Sequence, residues 1–211
     1  MEEYLLDLIS RMSIEENFKN SDDSVSWNAH REAEALTDAR CIDQLMHYIS
    51  VEKRKKHRDS AYFVLGKMLA NIARPDAVQF LINRLLMETD KYVIMGMLGR
   101  LQDIDKDSSI DILPIIACTK SDKCQIRHSA ISALAKTKHE TAKEVIRTMI
   151  QLEDQKKHKY EIIYAVAVLG TIGEKEDVAL LKPLFSSRIR DVKGSAEFAV
   201  ERLEGQKNRD S

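Results

Sequence analysis

The stretch QIRHSAISALAK (Gln125–Lys136) decides the fold, because its spacing of Ala130 four positions before Leu134 recurs along the chain. Four other stretches repeat this relation between a small or branched residue and a leucine or valine: RDSAYFVLGKM (Arg58–Met68), DKYVIMGMLGRL (Asp90–Leu101), YEIIYAVAVLGTIG (Tyr160–Gly173) and VKGSAEFAVERL (Val192–Leu203). The equivalent anchors are Leu65, Leu98, Leu134, Leu169 and Val200, at intervals of 33, 36, 35 and 31 residues. Recurrence at this length is typical of a helical solenoid, in which two-helix units stack side by side.

Each unit divides into two helices joined by a short polar turn. Small side chains recur at one position of the first helix, where they let neighbouring helices approach closely: Ala61, Ala130, Ala165 and Ala196. One unit has Ile94 there instead, with Gly96 nearby to make room. Apolar residues three and four apart mark the second helices: Ile42, Leu45, Met46 and Ile49; Val78, Leu81, Ile82 and Leu85; Ala142, Val145, Ile146 and Met149. Pro75 is suited to open one of these second helices.

Residues 1–19 precede the repeats and have the pattern of an amphipathic helix. The apolar residues that share one face are Tyr4 or Leu5, Leu8, Ile9 and Met12. An open solenoid exposes the apolar side of its terminal repeat, and a helix with one polar face covers it. We therefore expect residues 1–19 to form a capping helix.

The remaining boundaries follow from composition. The segment Asn20–Ser26 is polar and turn-prone, so we expect a loop there. The repeats are expected to span residues 27–205, and the polar residues 206–211 to form a disordered tail. The sequence thus predicts a single α-solenoid domain over residues 1–211.

Two of the first helices resemble a known repeat signature. The stretches IRHSAISALAK (Ile126–Lys136) and VKGSAEFAVERL (Val192–Leu203) are similar to the pattern V-R-x-x-A-x-x-A-L-G of HEAT repeats, particularly the short bacterial kind. The basic residue of this pattern is present at three positions: Arg58, Arg127 and Lys193. It is displaced at Lys91 and absent at Ile162. The resemblance implies an all-α, right-handed α-α superhelix of about five to six two-helix repeats, with the second helices lining the concave face.

Composition and charge weigh against several classes of protein. Charged residues make up 32% of the chain and the formal net charge is −1, so no overall field draws it to nucleic acid or to an anionic membrane. The longest nearly apolar run, Ile162–Gly173, is too short to span a bilayer, and the first residues lack the pattern of a signal peptide. The cysteines Cys41, Cys118 and Cys124 form no CxxC motif and suit small buried thiols. We expect a cytoplasmic protein with no membrane contact.

Known signatures of catalysis are missing from the sequence. The six histidines are scattered along the repeats: His30, His47, His57, His128, His139 and His158. Deoxyhypusine hydroxylases, which are built from HEAT repeats, hold a di-iron centre with several His-Glu pairs, whereas this chain has only His139-Glu140. It also lacks a phosphate-binding glycine loop, a nucleophile elbow and a Ser-His-Asp spacing. We therefore expect no metal, no cofactor and no enzymatic activity.

A DNA-binding protein or an alkylpurine DNA glycosylase is the alternative, because such glycosylases are also built from HEAT-like repeats. Their chemistry requires aromatic side chains around the modified base, a catalytic aspartate and a basic face for the phosphates. The only tryptophan, Trp27, lies in the irregular first unit. Packing of Trp27 against the capping helix is the interpretation that we favour.

Two basic runs, Glu52–Arg58 and Lys156–Lys159, occupy turns between repeats. Lysines near helix ends are commonly solvated and complement the helix dipole. Alternatively, the two runs form an electrostatic landing site for an acidic protein or a nucleic acid. No aromatic residues are interleaved to stack bases, which makes nucleic acid the less favoured partner.

The predicted binding surface is the concave face. In a second helix, the side opposite the core pattern must face the groove of the solenoid. Phe80, Asn83 and Met87 fall on that side of one unit, and two of them are large and apolar, as interface anchors are. The equivalent positions in other units are Gln44, His47, Glu144, Arg147 and Gln151. Packing of Phe80 and Met87 against a neighbouring repeat is an alternative that the sequence leaves open.

Together these features predict a non-enzymatic protein-binding module or adaptor whose partner is another protein. One specific form of this function is a bacterial toxin-neutralising (immunity) protein, since some short HEAT proteins accompany polymorphic toxins. That suggestion rests on analogy with the family.

Overall fold

A computed structural model describes residues 2–17 and 20–205. These residues form twelve α-helices, and they contain no β-strand. The helices are α1 (Glu3–Met12), α2 (Val25–Glu34), α3 (Arg40–Val51), α4 (Lys55–Leu69), α5 (Pro75–Arg84), α6 (Lys91–Leu101), α7 (Leu113–Cys118), α8 (Cys124–Ala133), α9 (Glu140–Ile150), α10 (Lys159–Ile172), α11 (Val178–Leu181) and α12 (Arg190–Gly205). Short 3-10 turns lie at Ser21–Asp23, Lys175–Asp177 and Lys182–Ser186.

The helices stack in two layers. The first helices α4, α6, α8, α10 and α12 contact one another in that order, and α2 contacts α4 at the start of the row. In the other layer, the second helix α3 contacts α5, α5 contacts α7, and α9 contacts α11. The described residues therefore contain five helix pairs followed by α12. The chain is an α-solenoid, as its repeat pattern predicts.

The anchors of the repeat pattern form the core. Leu65, Leu98, Leu134 and Leu169 are completely buried, and Val200 is 5% exposed. The alanines at the small-residue position are also completely buried: Ala61, Ala130, Ala165 and Ala196. These side chains belong to one apolar cluster that extends from α1 to α12. Each repeat thus buries its apolar face against its neighbours, which stabilises the whole row.

Local sequence signals set where several helices begin. The side chain of Ser24 accepts a hydrogen bond from the backbone N–H of Trp27 at 2.9 Å and caps α2. Asp90 caps α6 by accepting from the backbone N–H of Tyr92 at 2.9 Å. Pro75 occupies the first turn of α5, as predicted. Each cap satisfies N–H groups that have no partner within the helix.

The first helix is shorter than predicted. Within residues 1–19, α1 extends only over Glu3–Met12, and residues 14–17 are irregular. Its buried residues are Leu5, Leu8, Ile9 and Met12, whereas Tyr4 is 43% exposed. Helix α1 packs against α2 and α4. The predicted tail, residues 206–211, lies outside the described residues.

Three local predictions were wrong. The segment Asn20–Ser26 is not all loop, because it contains a 3-10 turn and α2 already begins at Val25. In α9 the core stripe is shifted by one position at its end, since Ile150 is buried and Met149 is half-buried. Cys124 is exposed, at the start of α8, instead of serving as a buried thiol.

Charged side chains link successive repeats. Eight ion pairs join residues about one repeat length apart: Glu34–Lys67, Asp43–Arg74, Lys55–Asp90, Arg58–Glu88, Arg127–Glu161, Lys143–Glu174, Arg147–Asp177 and Lys159–Asp191. Within residues 2–17 and 20–205, no such pair joins the α6–α7 unit to the α8–α9 unit.

Backbone contacts and one buried lysine occupy that junction instead. The Nζ of Lys106, in the turn after α6, donates to the carbonyl oxygens of Leu101 and Ile104, each at 2.7 Å. The backbone of Lys106 bonds to that of Lys136 and Lys138 in the turn after α8, at 2.9 and 3.0 Å. The side chain of Lys106 is completely buried, and this burial lowers its pKa to about 7.

Candidate functional site

Two adjoining cavities of about 730 and 380 Å³ form a groove on the first-helix layer, in the N-terminal half of the chain. Residues 14–16 bound it on one side, and α2, α4 and α6 form the rest of its wall. Ile14, His30 and Phe63 line both cavities and make them continuous. We call this feature the N-terminal groove. Its lining also includes Trp27, Lys56, Asp59, Tyr92 and Arg100.

One carboxylate holds the segment after α1 against α2. Glu16 accepts hydrogen bonds from Oγ of Ser24 at 2.7 Å and from the backbone N–H of Ser26 at 2.7 Å. The backbone N–H of Val25 donates to the same carboxylate at 3.1 Å. These bonds lower the pKa of Glu16 and keep it ionised, and the bond from Ser24 has the largest effect. In addition, Oγ of Ser26 donates to the carbonyl oxygen of Met12 at 2.9 Å.

The same segment is also attached to α4. The hydroxyl oxygens of Ser13 and Ser60 lie 3.0 Å apart, and Lys56 forms an ion pair with Glu15. The segment is therefore fixed to both helices that flank it. Polar contacts to α2 and to α4 therefore hold this wall of the groove in place.

Aromatic side chains supply much of the apolar surface of the N-terminal groove. Trp27 is 49% exposed and Tyr92 is 66% exposed. The rings of His30 and Phe63 meet edge-on with centroids 4.9 Å apart, and the guanidinium carbon of Arg100 lies 4.7 Å from the Phe63 centroid. Exposed aromatic groups in a concave site are typical anchors for a binding partner.

Trp27 is less enclosed than its predicted packing against the capping helix implies. About half of this side chain is exposed, and it lines the groove beside Ile14 and the irregular segment that follows α1. Helix α1 ends at Met12, and the irregular residues after it form the groove wall that Trp27 faces.

Asp59 is a groove residue with an unusual electrostatic environment. Burial raises the pKa of its carboxyl group, and the carboxylates of Asp90 and Glu88 raise it further. His30 and Lys55 act in the opposite direction. Because the residue as a whole is exposed, solvent screens these charges, and the carboxylate stays accessible to a ligand.

Sequence reasoning did not select Ile14, Asp59, Phe63 or Tyr92. One signal was available for Phe63, which lies two positions before the anchor Leu65 and hence on the opposite side of α4. The course of residues 14–16 had no such signal, because it depends on polar contacts with α2 and α4 that a helical period does not describe.

The residues predicted for the concave face lie on α3, α5 and α9 or directly after them. Gln44, in α3, accepts a hydrogen bond from the backbone N–H of Glu2 at 2.7 Å, and His47 is exposed. In α5, Phe80 is half-buried against the core and Asn83 is exposed. Met87, which follows α5, is 66% exposed. Helices α3 and α5 contact each other, so these residues lie on neighbouring helices.

The other predicted residues form a separate group on α9. Glu144 and Gln151 are exposed. Arg147 binds both carboxylate oxygens of Asp177 at 2.7 and 3.2 Å and also binds Glu140 at 2.6 Å. Arg147 therefore links two repeats. Since α7 stands between α5 and α9 in the order of second helices, this group does not adjoin Phe80.

Most of the cations in the two basic runs are ion-paired within the fold. In the first run, Lys55 binds Asp90 at 3.0 Å and Arg58 binds Glu88 at 2.8 Å. In the second run, Lys159 binds Asp191. These contacts neutralise part of the positive charge and give the runs a role in joining repeats.

Within residues 2–17 and 20–205, no three His, Cys, Asp or Glu side chains stand close enough together to hold a metal ion. Nor does any helix in these ranges have the length and apolar character needed to cross a membrane.

Comparisons with known proteins bear on the fold. No family model matches the chain, and no curated protein matches it. A designed armadillo repeat protein is similar in structure, with a TM-score of 0.52 and 14% sequence identity over 94% of this chain and 99% of that one. The crystal structure of another engineered protein matches with a TM-score of 0.49 and 16% identity over 97% of this chain and 98% of that one. The armadillo match supports a helical repeat solenoid.

Proposed function

We propose that this chain is a non-enzymatic protein-binding module that holds its partner in the N-terminal groove. The observation that carries the proposal is the exposure of Trp27 inside the larger of the two cavities, of about 730 Å³, beside Ile14 and Phe63. Tryptophan is among the residues that contribute most to protein interfaces, and a side chain that the fold already holds in a groove loses less entropy on binding. The solenoid fold supplies the extended surface that such modules use.

Three more specific features belong to this proposal. The repeats are of the HEAT type, on the strength of the signature at Ile126–Lys136 and Val192–Leu203. The protein acts in the cytoplasm, in keeping with three free thiols. Neutralisation of a toxin is one form that the binding function takes, and this form rests on the HEAT resemblance alone.

Affinity capture with matched variants tests the proposal. Tagged wild-type chain and the Trp27→Ala variant are incubated with an extract of the native cells, and the captured proteins are quantified by mass spectrometry. The control is Phe198→Ala, which removes another aromatic side chain that is 61% exposed, on α12. We expect a partner that the control retains and Trp27→Ala loses. A partner retained by Trp27→Ala and lost by Phe80→Ala would place binding on the second helices instead.

A glycosylase that removes modified bases from DNA is the second candidate. The observation that favours it is the presence of Trp27, Phe63 and Asp59 in one groove, since base excision requires aromatic surfaces and a carboxylate. The ion pairs of the basic runs oppose it, because they occupy cations that would hold phosphates. Release of a modified base from alkylated DNA by the wild-type chain, with loss of that release in Asp59→Asn, would establish this function.

A further inference from the structure

Asp59 lies where three first helices meet. It is carried by α4, and the N-terminal groove brings it together with His30 of α2 and Gly96 of α6. A Cβ atom on Gly96 would stand 3.4 Å from Oδ1 of Asp59, an ordinary van der Waals distance, so α6 passes directly beside the carboxylate. Among residues 2–17 and 20–205, Asp59 has no ion-pair partner. It therefore differs from the other carboxylates that line the groove.

Those other carboxylates are engaged in holding the fold. Glu15 is paired with Lys56, and Glu16 accepts bonds at the N-terminus of α2. Glu34 is paired with Lys67 at 2.7 Å. Asp59 is thus the carboxylate in the groove whose charge is not used by a contact with the described residues.

The cations that line the same cavity are directed to other groups. Lys56 is held by Glu15, and the guanidinium of Arg100 lies over the ring of Phe63. The charges around Asp59 are mixed, since Asp90 and Glu88 raise its pKa whereas His30 and Lys55 lower it. A cation brought in by a ligand would pair with this carboxylate, because an opposite charge within a few ångströms favours the ionised form.

The aromatic groups around Asp59 provide an apolar surface on which the methylene groups of a long basic side chain can pack. Phe63 and Tyr92 line the cavity that contains Asp59, and Trp27 and Ile14 line the cavity next to it. Lysine and arginine bury their methylene groups on apolar surface while their charged ends reach a polar partner. Aromatic faces also attract cations directly. The site therefore combines an available carboxylate with the surface that a basic side chain requires.

We propose that the N-terminal groove selects a partner segment that sets a lysine or arginine side chain against Asp59 and lays neighbouring apolar side chains on Trp27 and Ile14. This inference rests on the proposed function and adds the chemistry of the segment that is bound. The charge complementarity is that of Asp59, since the exposed Arg31 lines only the neighbouring cavity, and it identifies the occupant as a basic and apolar segment of a protein.

The test uses the full chain and a random-peptide phage library. Enriched peptides are synthesised with lysine, norleucine or glutamate at the basic position, and binding is followed by fluorescence. Trp27 is the only tryptophan of the chain, so its emission reports occupancy of the groove. We expect the lysine peptide to bind about tenfold or more tightly than the norleucine peptide. In Asp59→Asn this advantage should fall to about twofold or less, whereas Glu201→Gln, which changes an exposed carboxylate on α12, should leave it unchanged.

Other outcomes would overturn the inference in distinguishable ways. Enriched peptides that lack a basic residue, or that bind more tightly with glutamate, would overturn selection by Asp59 while the change in Trp27 emission still supported a groove that binds proteins. Selection by Asp59 would also be overturned if the lysine peptide still bound Asp59→Asn much more tightly than the norleucine peptide. Absence of any peptide that changes the emission of Trp27 would overturn both this inference and the proposed use of the groove.

Discussion

Arg127 of α8 binds Glu161 of α10 through Nε and Nη2, at 3.1 and 2.8 Å, in the same way that Arg58 of α4 reaches Glu88 after α5. In both cases the remaining guanidinium nitrogen donates to carbonyl oxygens of the turn that precedes the helix, at Asp122 for Arg127. The basic residue of the repeat signature thus ties its own turn to a carboxylate about one repeat away.

The first prediction concerns the removal of one such arginine. The side chain of Glu88 is only 3% exposed, so Arg58→Met would leave a buried carboxylate without its main partner. We expect the free energy of unfolding to fall by about 3–5 kcal/mol. The control is Arg40→Met, since Arg40 is paired with Asp38 but is 79% exposed. In urea denaturation the control should change stability by no more than about 0.5 kcal/mol, and equal effects of the two variants would contradict the structural role of Arg58.

The repeat pattern predicted the fold, the anchors and the small-residue position, because all three follow from a single helical period. It did not predict the N-terminal groove. That groove depends on where α1 stops, and on how Glu16 and Ser13 hold the segment after α1 to α2 and α4. Such contacts join residues of irregular backbone to helices that come later in the chain, so periodicity contains no signal for them. The partner of Arg147 was missed for the same reason, as Asp177 lies in a turn one repeat away.

The second prediction compares two helical glycines. A Cβ atom on Gly66 would stand 2.5 Å from Cβ of Arg100, so Gly66→Ala would force α4 and α6 apart. We expect it to lower stability by about 1–3 kcal/mol. Gly99, in α6, has no atom within 4 Å of the added Cβ, and Gly99→Ala should raise stability by about 0.5–1 kcal/mol through helix propensity. Thermal melting of the two variants should therefore shift in opposite directions, and a shift of the same sign would contradict the close contact of α4 with α6.

The third prediction concerns the pH dependence that Lys106 introduces. Its pKa is about 7 in the fold, against an ordinary value of 10.5, because burial disfavours the charged amine. Between these values the unfolded chain binds more protons at this side chain, so the free energy of unfolding should increase with pH, by up to about 1.4 kcal/mol per unit. The stability contributed by the neutral amine is complete above the unfolded pKa and is lost as the pH falls towards 7.

Urea denaturation between about pH 7 and 9.5 measures this slope below the range in which tyrosines ionise. Lys106→Met should flatten the slope. The control is Lys138→Met, since Lys138 is exposed and lies in the turn to which the backbone of Lys106 bonds. This variant should keep the slope of the wild-type chain. A slope that survives in Lys106→Met would mean that another group is responsible.

The last prediction separates the two roles considered for Arg147. If Arg147 were only a binding residue on an exposed face, replacing it would leave the free energy of unfolding unchanged. However, Arg147 holds Asp177, which is only 5% exposed, and burial of that carboxyl group opposes the ionised state that Arg147 maintains. We expect Arg147→Ala to lower the free energy of unfolding by about 3 kcal/mol at neutral pH. Glu144→Ala, an exposed change on the same helix, should alter stability by less than about 0.5 kcal/mol.

The pH dependence of the same pair provides an independent measurement. Burial raises the pKa of Asp177, but the bonds and charge of Arg147 outweigh this effect and lower the pKa below its ordinary value. The stability contributed by the ionised carboxylate is therefore complete above the unfolded pKa of about 4 and is lost as the pH falls through the folded value. The difference between wild-type chain and Arg147→Ala should shrink on acidification. If Arg147→Ala has wild-type stability at every pH and instead weakens binding of a partner, Arg147 belongs to an interface on the second helices, as its sequence position first suggested.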